Sequence, residues 1–576
     1  MNATGQGELS AAELSVLIAR LSGVAAEMGA VLRRGAFSPN IKERADCSAA
    51  VFDPAGALLA QAEHIPVHLG SMPASVAAVL DALGELAPGE QAIVNDPFAG
   101  GTHLNDITIV APCWSGGRLV GWVANRAHHA DVGGAAPGSM PADASGIHQE
   151  GLRLPPLRFT TEIRQLLLAN SRTPIERAGD IDAQVGANRI GMERLAGLVD
   201  PGSAGSPFSA VISYGERRAR STFAGMAEGE WSAEDQLDST GAAPDQQAPA
   251  VLRCTLRVEG DQIEIDLRGC DPQNAGNTNA VRSVTASTVA FAIRSAVDPT
   301  LPANAGSMAP VRLLTTPATI VDAEYPAAVG AGNVEVSQRV VDVVCRALAG
   351  ALPGHVAASS QGTMNNLLVG ARNGSWVYYE TIGGGQGGRP PRPAGCGEDP
   401  LGSVPVGSAF GDGGQLRAEP RPGQSGIHTA MTNTVDEGHQ PTAGIPGQSG
   451  IQTNMTNTKN TPIEALERAF PMRVLRQRLR RGSGGAGSSA GGEGIERDLQ
   501  VLVDATVSLI TERRVSQPWG LAGGEPGAVG ENWLLPGGDE ARAERLPDKC
   551  TIQLRAGDVL RMLTPGGGGW GTPVEV

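Results

Sequence analysis

Three of the chain's nine histidines, His103, His128 and His129, fall within residues 95–134, NDPFAGGTHLNDITIVAPCWSGGRLVGWVANRAHHADVGG. Asp106 follows His103 by three positions and Asp131 follows His128 by three, giving two His-x-x-Asp units. Imidazole and carboxylate together suit Zn, Mn or Fe(II) better than Ca or Mg, whose sites are built from oxygen. The same spacing also arises where an aspartate orients a histidine or closes a turn. Two units framing one short segment favour a shared divalent ion. His64 and His68, on either side of Pro66, are candidates to hydrogen-bond to the ligands from behind.

The segment between the units explains how they meet. Residues 107–112 and 119–125 carry the β-branched and aromatic side chains of strands, and Ser115-Gly116-Gly117 supplies a turn, which predicts a hairpin. A hairpin brings its ends together, so His103 and Asp106 entering the first strand become neighbours of His128 leaving the second. Gly100-Gly101 and Gly133-Gly134 allow the backbone to bend sharply on either side.

The 576-residue chain as a whole is rich in glycine (78) and poor in aromatics (3%), so its core must rest on Ala, Val, Leu and Ile. Its length suggests about three or four domains. A net charge of −15 argues against a nucleic-acid or anionic-membrane partner. The N-terminus has no basic segment leading into an apolar run, and no apolar stretch approaches membrane-spanning length, so a cytoplasmic location is expected. Seven scattered cysteines without CxxC spacing point to free buried thiols rather than disulfides or a cysteine zinc site.

Residues 11–34 read as a helix capped by Ser10, 46–53 and 58–61 as strands, 72–86 as a helix, and 160–197 as mostly helical, continuing weakly to 223. Residues 232–250 are polar and read as an exposed loop at a boundary. Strands are expected at 251–258, 262–267, 367–379, 499–509 and 550–563, with helices at 283–297 and 334–352. The fold class is therefore α+β, with multi-layered antiparallel sheets and flanking helices. Four regions are expected: 1–230, bearing the metal site; 231–390, a middle α+β region; 391–446, a Gly/Pro-rich mobile insertion; and 447–576, a C-terminal α+β region. The sequence at 423–434 is nearly repeated at 447–458; the second copy leads into a helix start at Pro462 and is expected to take the structural position, leaving His428 in the extra copy.

The segments NIKERADCSAAVFD, IPVHLGSMP, NDPFAGGTHLNDI, RAHHADVGG, HQEGLRLPP, GCDPQNAGNTNAV, GNVEVSQR, YYETIGGGQGGRP, SGIQTNMTNTKNTPIEALE and TPGGGGWGTP occur in this order along nearly the whole chain. Together they resemble the hydantoinase B/oxoprolinase family. The resemblance implies a metal held by Glu43, His103, Asp106 and His128, with Asp131 orienting His128 or acting as a base. It further implies ATP-dependent hydrolysis of a small cyclic amide, of the hydantoin or 5-oxoproline type, in a hetero-oligomer whose A-type partner subunit binds the nucleotide. In keeping with that division, the chain has no GxxxxGK[ST] loop, and the runs at 383–388 and 566–569 read as structural glycines rather than phosphate cradles. Two other readings fit the resemblance: a subunit of an ATP-dependent acetone-type carboxylase, or a non-catalytic assembly subunit whose metal is structural. One departure stands out. Where relatives usually carry arginine after SGGAG, this chain has Ser488-Ser489-Ala490, which puts anion binding there in doubt.

Overall fold

A computed structural model describes residues 9–63, 65–199, 207–391 and 444–573. His64, the first copy of the repeat with His428, and nearly all of the 391–446 insertion lie outside the described residues.

The chain begins with α1 (Ala11–Gly35), whose Ser10 forms a reciprocal capping box with Glu13. The short α2 (Pro39–Lys42) leads into β1 (Cys47–Phe52) and β2 (Leu58–Glu63), then α3 (Ser71–Leu83). β3 (Ala92–Val94), the hairpin β4 (Asp106–Ser115) and β5 (Arg118–His128), and the two-residue β6 (Leu157–Arg158) complete a six-stranded antiparallel sheet, in the order β2-β1-β5-β4-β3-β6. Helices α4 (Thr161–Asn170), α5 (Pro174–Ala196) and α6 (Phe208–Phe223) follow.

Alternation along β1 sends Ala49 and Val51 toward Leu21, Val24 and Met28 of α1 and Leu195 of α5, while Ala50 and Phe52 face Met72, Val76 and Val79 of α3. Helices thus cover both faces of the sheet. Each fully buried aliphatic side chain in these layers contributes on the order of 1.5–3 kcal/mol. By length and composition α1 is apolar enough to cross a membrane, contrary to the expectation from the sequence. Its Leu21, Val24, Ala25, Met28 and Leu32 are nevertheless buried against the first sheet and α5.

The second sheet has the order β10-β9-β8-β7, formed by β7 (Gly229–Leu237), β8 (Ala250–Glu259), β9 (Gln262–Asp266) and β10 (Val311–Leu314), the last parallel to β9. It packs with α7 (Arg282–Ala296), α8 (Ala305–Met308) and α9 (Ser337–Ala351). Residues 232–237, expected as an exposed loop, are instead the last six of the nine residues of β7. This edge strand pairs along its length with β8 and turns alternate polar side chains to solvent. A π-helical turn, Gly332–Val336, precedes α9.

The remaining strands are β11 (Asn366–Ala371), β12 (Val377–Thr381), β13 (Met472–Arg480), β14 (Gly494–Val501), β15 (Ala505–Ile510), β16 (Glu531–Leu535), β17 (Glu544–Leu546), β18 (Lys549–Leu554) and β19 (Val559–Leu563). They form two further antiparallel sheets, β12-β11-β15-β18 and β13-β14-β19-β16-β17, with α10 (Ile463–Ala469) beside β13. Residues 499–509 and 550–563, each expected as one strand, are both divided by a turn between two different sheets. The second repeat copy is in place, with Thr453, Asn454, Met455, Thr456 and Thr458 buried.

The glycine runs are structural. Backbone hydrogen bonds join Gly385 to Pro565, Gly492 to Gln386 and Gly567 to Gly492, and a Cβ on Gly385 would lie 2.0 Å from the Gly492 carbonyl oxygen. Ser488 and Ser489 join this bundle by donating to the carbonyls of Trp570 and Arg389. The six cysteines among the described residues are free and buried.

Candidate metal centre

The hairpin register sets Asp106, the first residue of β4, directly opposite His128, the last of β5. His103 lies in the turn that enters β4, and asparagines hold that turn. Asn95 donates to the Leu104 and Leu152 carbonyls and accepts from the Leu154 N–H, while Asn105 donates to the carbonyls of His129 and Gly138. Gly100 has a left-handed φ of 81°, and a Cβ there would meet the Ala74 backbone at 2.4 Å, so the approach to His103 requires glycine.

One donor atom each from His103, Asp106 and His128 lies within 4.8 Å of the other two. All three side chains are buried, at 2%, 1% and 3% exposure, so the group is sealed from bulk solvent. His128 Nδ1 is 3.2 Å from Asp106 Oδ1, and His103 Nδ1 is 3.1 Å from Asp106 Oδ2. Thr102 donates to Asp106 Oδ2 at 2.5 Å. A third imidazole, His68, approaches the same oxygen with Nε2 at 3.4 Å, and its Nδ1 lies 2.9 Å from Ser48 Oγ.

These residues fit a divalent cation. Both ring nitrogens of His103 and the Nε2 atoms of His128 and His68 are buried without a hydrogen-bond partner, an arrangement that costs about 1–3 kcal/mol per group unless something is bound. Burial pushes the pKa values of His68 and His128 down, which keeps their lone pairs available near neutral pH. Burial alone would raise Asp106, but the electrostatic and hydrogen-bond contacts from His103, His128 and His68 hold its carboxyl well below the usual carboxylate range.

The other residues singled out in the sequence stand outside this group of three. Glu43 is half-buried at the C-terminal end of α2 and does not join the three converging side chains. Asp131 is buried, and its carboxylate accepts from Arg172 through both the backbone N–H (2.9 Å) and Nη1 (2.8 Å), and from the N–H groups of Gly133 and Gly138. It shapes the loop after the hairpin. His129 Nε2 meets Gln184 Oε1 at 2.9 Å, and burial lowers its pKa to about 4.

Other residues beside the site escaped the sequence reading. Asp46 is buried, its carbonyl accepts from the His128 N–H, and its carboxyl interacts electrostatically with His128 and His103. Glu150 is buried with its carboxyl accepting from the N–H groups of Val329 and Gly330. The ring of Tyr379 stacks on His128 with centroids 4.5 Å apart and planes at 20°. Their signal lay in segments already recognisable, NIKERAD, HQEGLR and YYET, but nothing in spacing linked those segments to the hairpin.

The sequence profile of the Hydantoinase B/oxoprolinase family matches residues 10–399 and 411–573. The chain belongs to this family. It is 33% identical over 592 residues to 5-oxoprolinase 1 of Arabidopsis thaliana, covering 98% of this chain but 42% of that protein, so it spans about two fifths of this relative. It is 26% identical to the B-type subunit of a putative D-/L-hydantoinase from a Pseudomonas species, covering 98% of this chain and 90% of that one. A crystal structure of the ATP-dependent caprolactamase from Pseudomonas jessenii superposes with a TM-score of 0.80 at 22% identity, covering 98% and 92% of the two chains. This hydantoinase B/oxoprolinase family member therefore shares the mixed α+β fold of that enzyme, with several antiparallel sheets.

Proposed function

We propose that this chain is the metal-bearing subunit of an ATP-dependent enzyme that opens a small cyclic amide, working with a nucleotide-binding partner subunit. The observation that carries the reading is the buried convergence of His103, Asp106 and His128 in a member of this family. The relatives support the reaction class: an oxoprolinase, a hydantoinase subunit and an ATP-dependent caprolactamase. The Pseudomonas hydantoinase relative is named as one subunit of its enzyme, which supports a second chain that would carry the nucleotide.

His103, Asp106 and His128 would hold the ion, and Glu43, half-buried at the end of α2, is proposed as a further ligand on the resemblance to the family alone. A divalent ion held there supplies a Lewis acid for an amide carbonyl or its phosphorylated derivative, or lowers the pKa of a water that attacks it. Thr102 donates to one oxygen of Asp106 and helps to fix the carboxylate plane, with His68 Nε2 3.4 Å from the same oxygen. Ser48 in turn fixes the ring of His68. Asp131 and Arg172 hold the loop that follows His128 and His129.

The test measures bound metal and ATP-dependent opening of hydantoins, 5-oxoproline and lactams after mixing with the A-type partner. His103→Ala is expected to lose both metal and turnover while the complex still assembles. Turnover that survives loss of the metal would leave the centre with a structural role.

A further inference from the structure

Tyr379 comes from β12 in the third sheet, far in sequence from the hairpin, yet its ring lies flat on His128. Two sets of contacts fix that ring. Its hydroxyl donates to Asn366 Oδ1 at 2.9 Å, and Asn366 in turn donates to Glu335 Oε1 at 3.1 Å and to the Ile510 carbonyl at 3.2 Å. Its backbone carbonyl accepts from Arg44 Nη1 at 2.6 Å, and the guanidinium carbon of Arg44 lies 5.0 Å from the ring centroid. Arg44, Asn366 and Glu335 are all fully buried, and Glu335 sits on the π-helical turn before α9.

Each of these contacts restrains one degree of freedom. The Arg44 bond fixes the height of the strand, and the Asn366 bond fixes the direction of the phenol. An aromatic plane held at 20° to the imidazole leaves His128 little freedom to turn about its side-chain axis. His128 also needs that restraint, because its Nε2 has no hydrogen-bond partner to orient it and only the contact with Asp106 acts on its Nδ1. The usual partner of a ligating imidazole is an acceptor on its second nitrogen, which Asp106 supplies at Nδ1; the stacked ring adds a second restraint, on the plane of the imidazole.

We propose that Tyr379 is a positioning residue for the metal, holding the plane of His128 so that its ring nitrogen reaches the ion, with Asn366 and Arg44 holding Tyr379. The proposal rests on the metal reading above. It makes the centre dependent on two parts of the chain: the hairpin supplies the ligands and the third sheet sets the angle of one of them.

The experiment loads the full chain with Co(II) and reads affinity by chelator competition and geometry from the visible absorption bands. Tyr379→Leu, which removes the flat ring, is expected to weaken Co(II) binding by about 10–100-fold and to shift the bands. Tyr379→Phe keeps the stack and is expected to stay within about threefold of the wild type. Wild-type affinity and an unshifted spectrum in Tyr379→Leu would overturn the proposal. If the leucine variant does not fold, Tyr379→Met carries the test: it keeps much of the side-chain volume but removes the flat ring that lies on His128, and the proposal requires a weaker site with altered bands. A wild-type chain that binds no Co(II), Mn(II) or Zn(II) would overturn the metal reading itself, an outcome separate from that of the variants.

Discussion

Asp106 and His128 stand opposite each other at the open end of the β4–β5 hairpin, with Asp106 Oδ1 3.2 Å from His128 Nδ1. The register makes this pairing. Side chains along a strand alternate between faces, so slipping the hairpin by one residue would turn one of the two away from the other. Replacing Asp106 with Asn removes the charge around which His68, His103 and His128 gather. Metal affinity is expected to fall by more than about 100-fold in Asp106→Asn, measured by chelator competition on the folded protein.

Thr102→Val tests the support of that carboxylate. It deletes the hydroxyl that donates to Asp106 Oδ2 at 2.5 Å while keeping the side-chain volume. Metal affinity is expected to drop by about 10-fold with the fold intact. Unchanged affinity would mean that Asp106 is held well enough by the histidines alone.

Gly100→Ala tests the approach to the site. The added Cβ would stand 2.4 Å from the Ala74 backbone at a φ of 81°, and neither side of that contact is a flexible side chain. A loss of roughly 2–4 kcal/mol is expected from the strained backbone and the overpacking, read as a lowered midpoint in urea.

Glu150 gives the stability a pH dependence of known sign. Burial raises its pKa to about 7, offset in part by the N–H groups of Gly330 and Val329. Because the folded value lies above the unfolded one, near 4.5, Glu150's contribution is fully present below about pH 4.5 and is lost as pH rises through about 7. The ionised carboxyl then costs roughly 3 kcal/mol. In metal-free protein, Glu150→Gln is expected to lose less stability than the wild type between pH 5 and pH 8. Parallel stability curves for the two proteins would contradict this account.

Much of the first sheet and of the convergence of His103, Asp106 and His128 was legible in the sequence because both are local. Alternating β-branched residues around Ser115-Gly116-Gly117 specify the hairpin, and a hairpin joins its own ends. The contacts from Tyr379, Glu150 and His68 were not legible as a set, because long-range packing brings them in and nothing in their spacing records it. The polar strand β7 was misread for a related reason: as an edge strand it shows solvent the residues that a loop would show, and only its pairing with β8 identifies it. The divided segments at 499–509 and 550–563 each look like one apolar run, and a turn within each sends its halves to different sheets.

On the proposed function, an ion held by His103, Asp106 and His128 takes part in the chemistry. The direct measurement is ATP-dependent opening of a hydantoin, 5-oxoproline or lactam by the chain mixed with the proposed A-type partner, before chelation, after it, and after the ion is restored. The account predicts that turnover disappears with the metal and returns with it, giving the ring-opened acid as product. Full turnover by metal-free complex would contradict it, and so would a carboxylated product formed from a ketone and bicarbonate in place of ring opening.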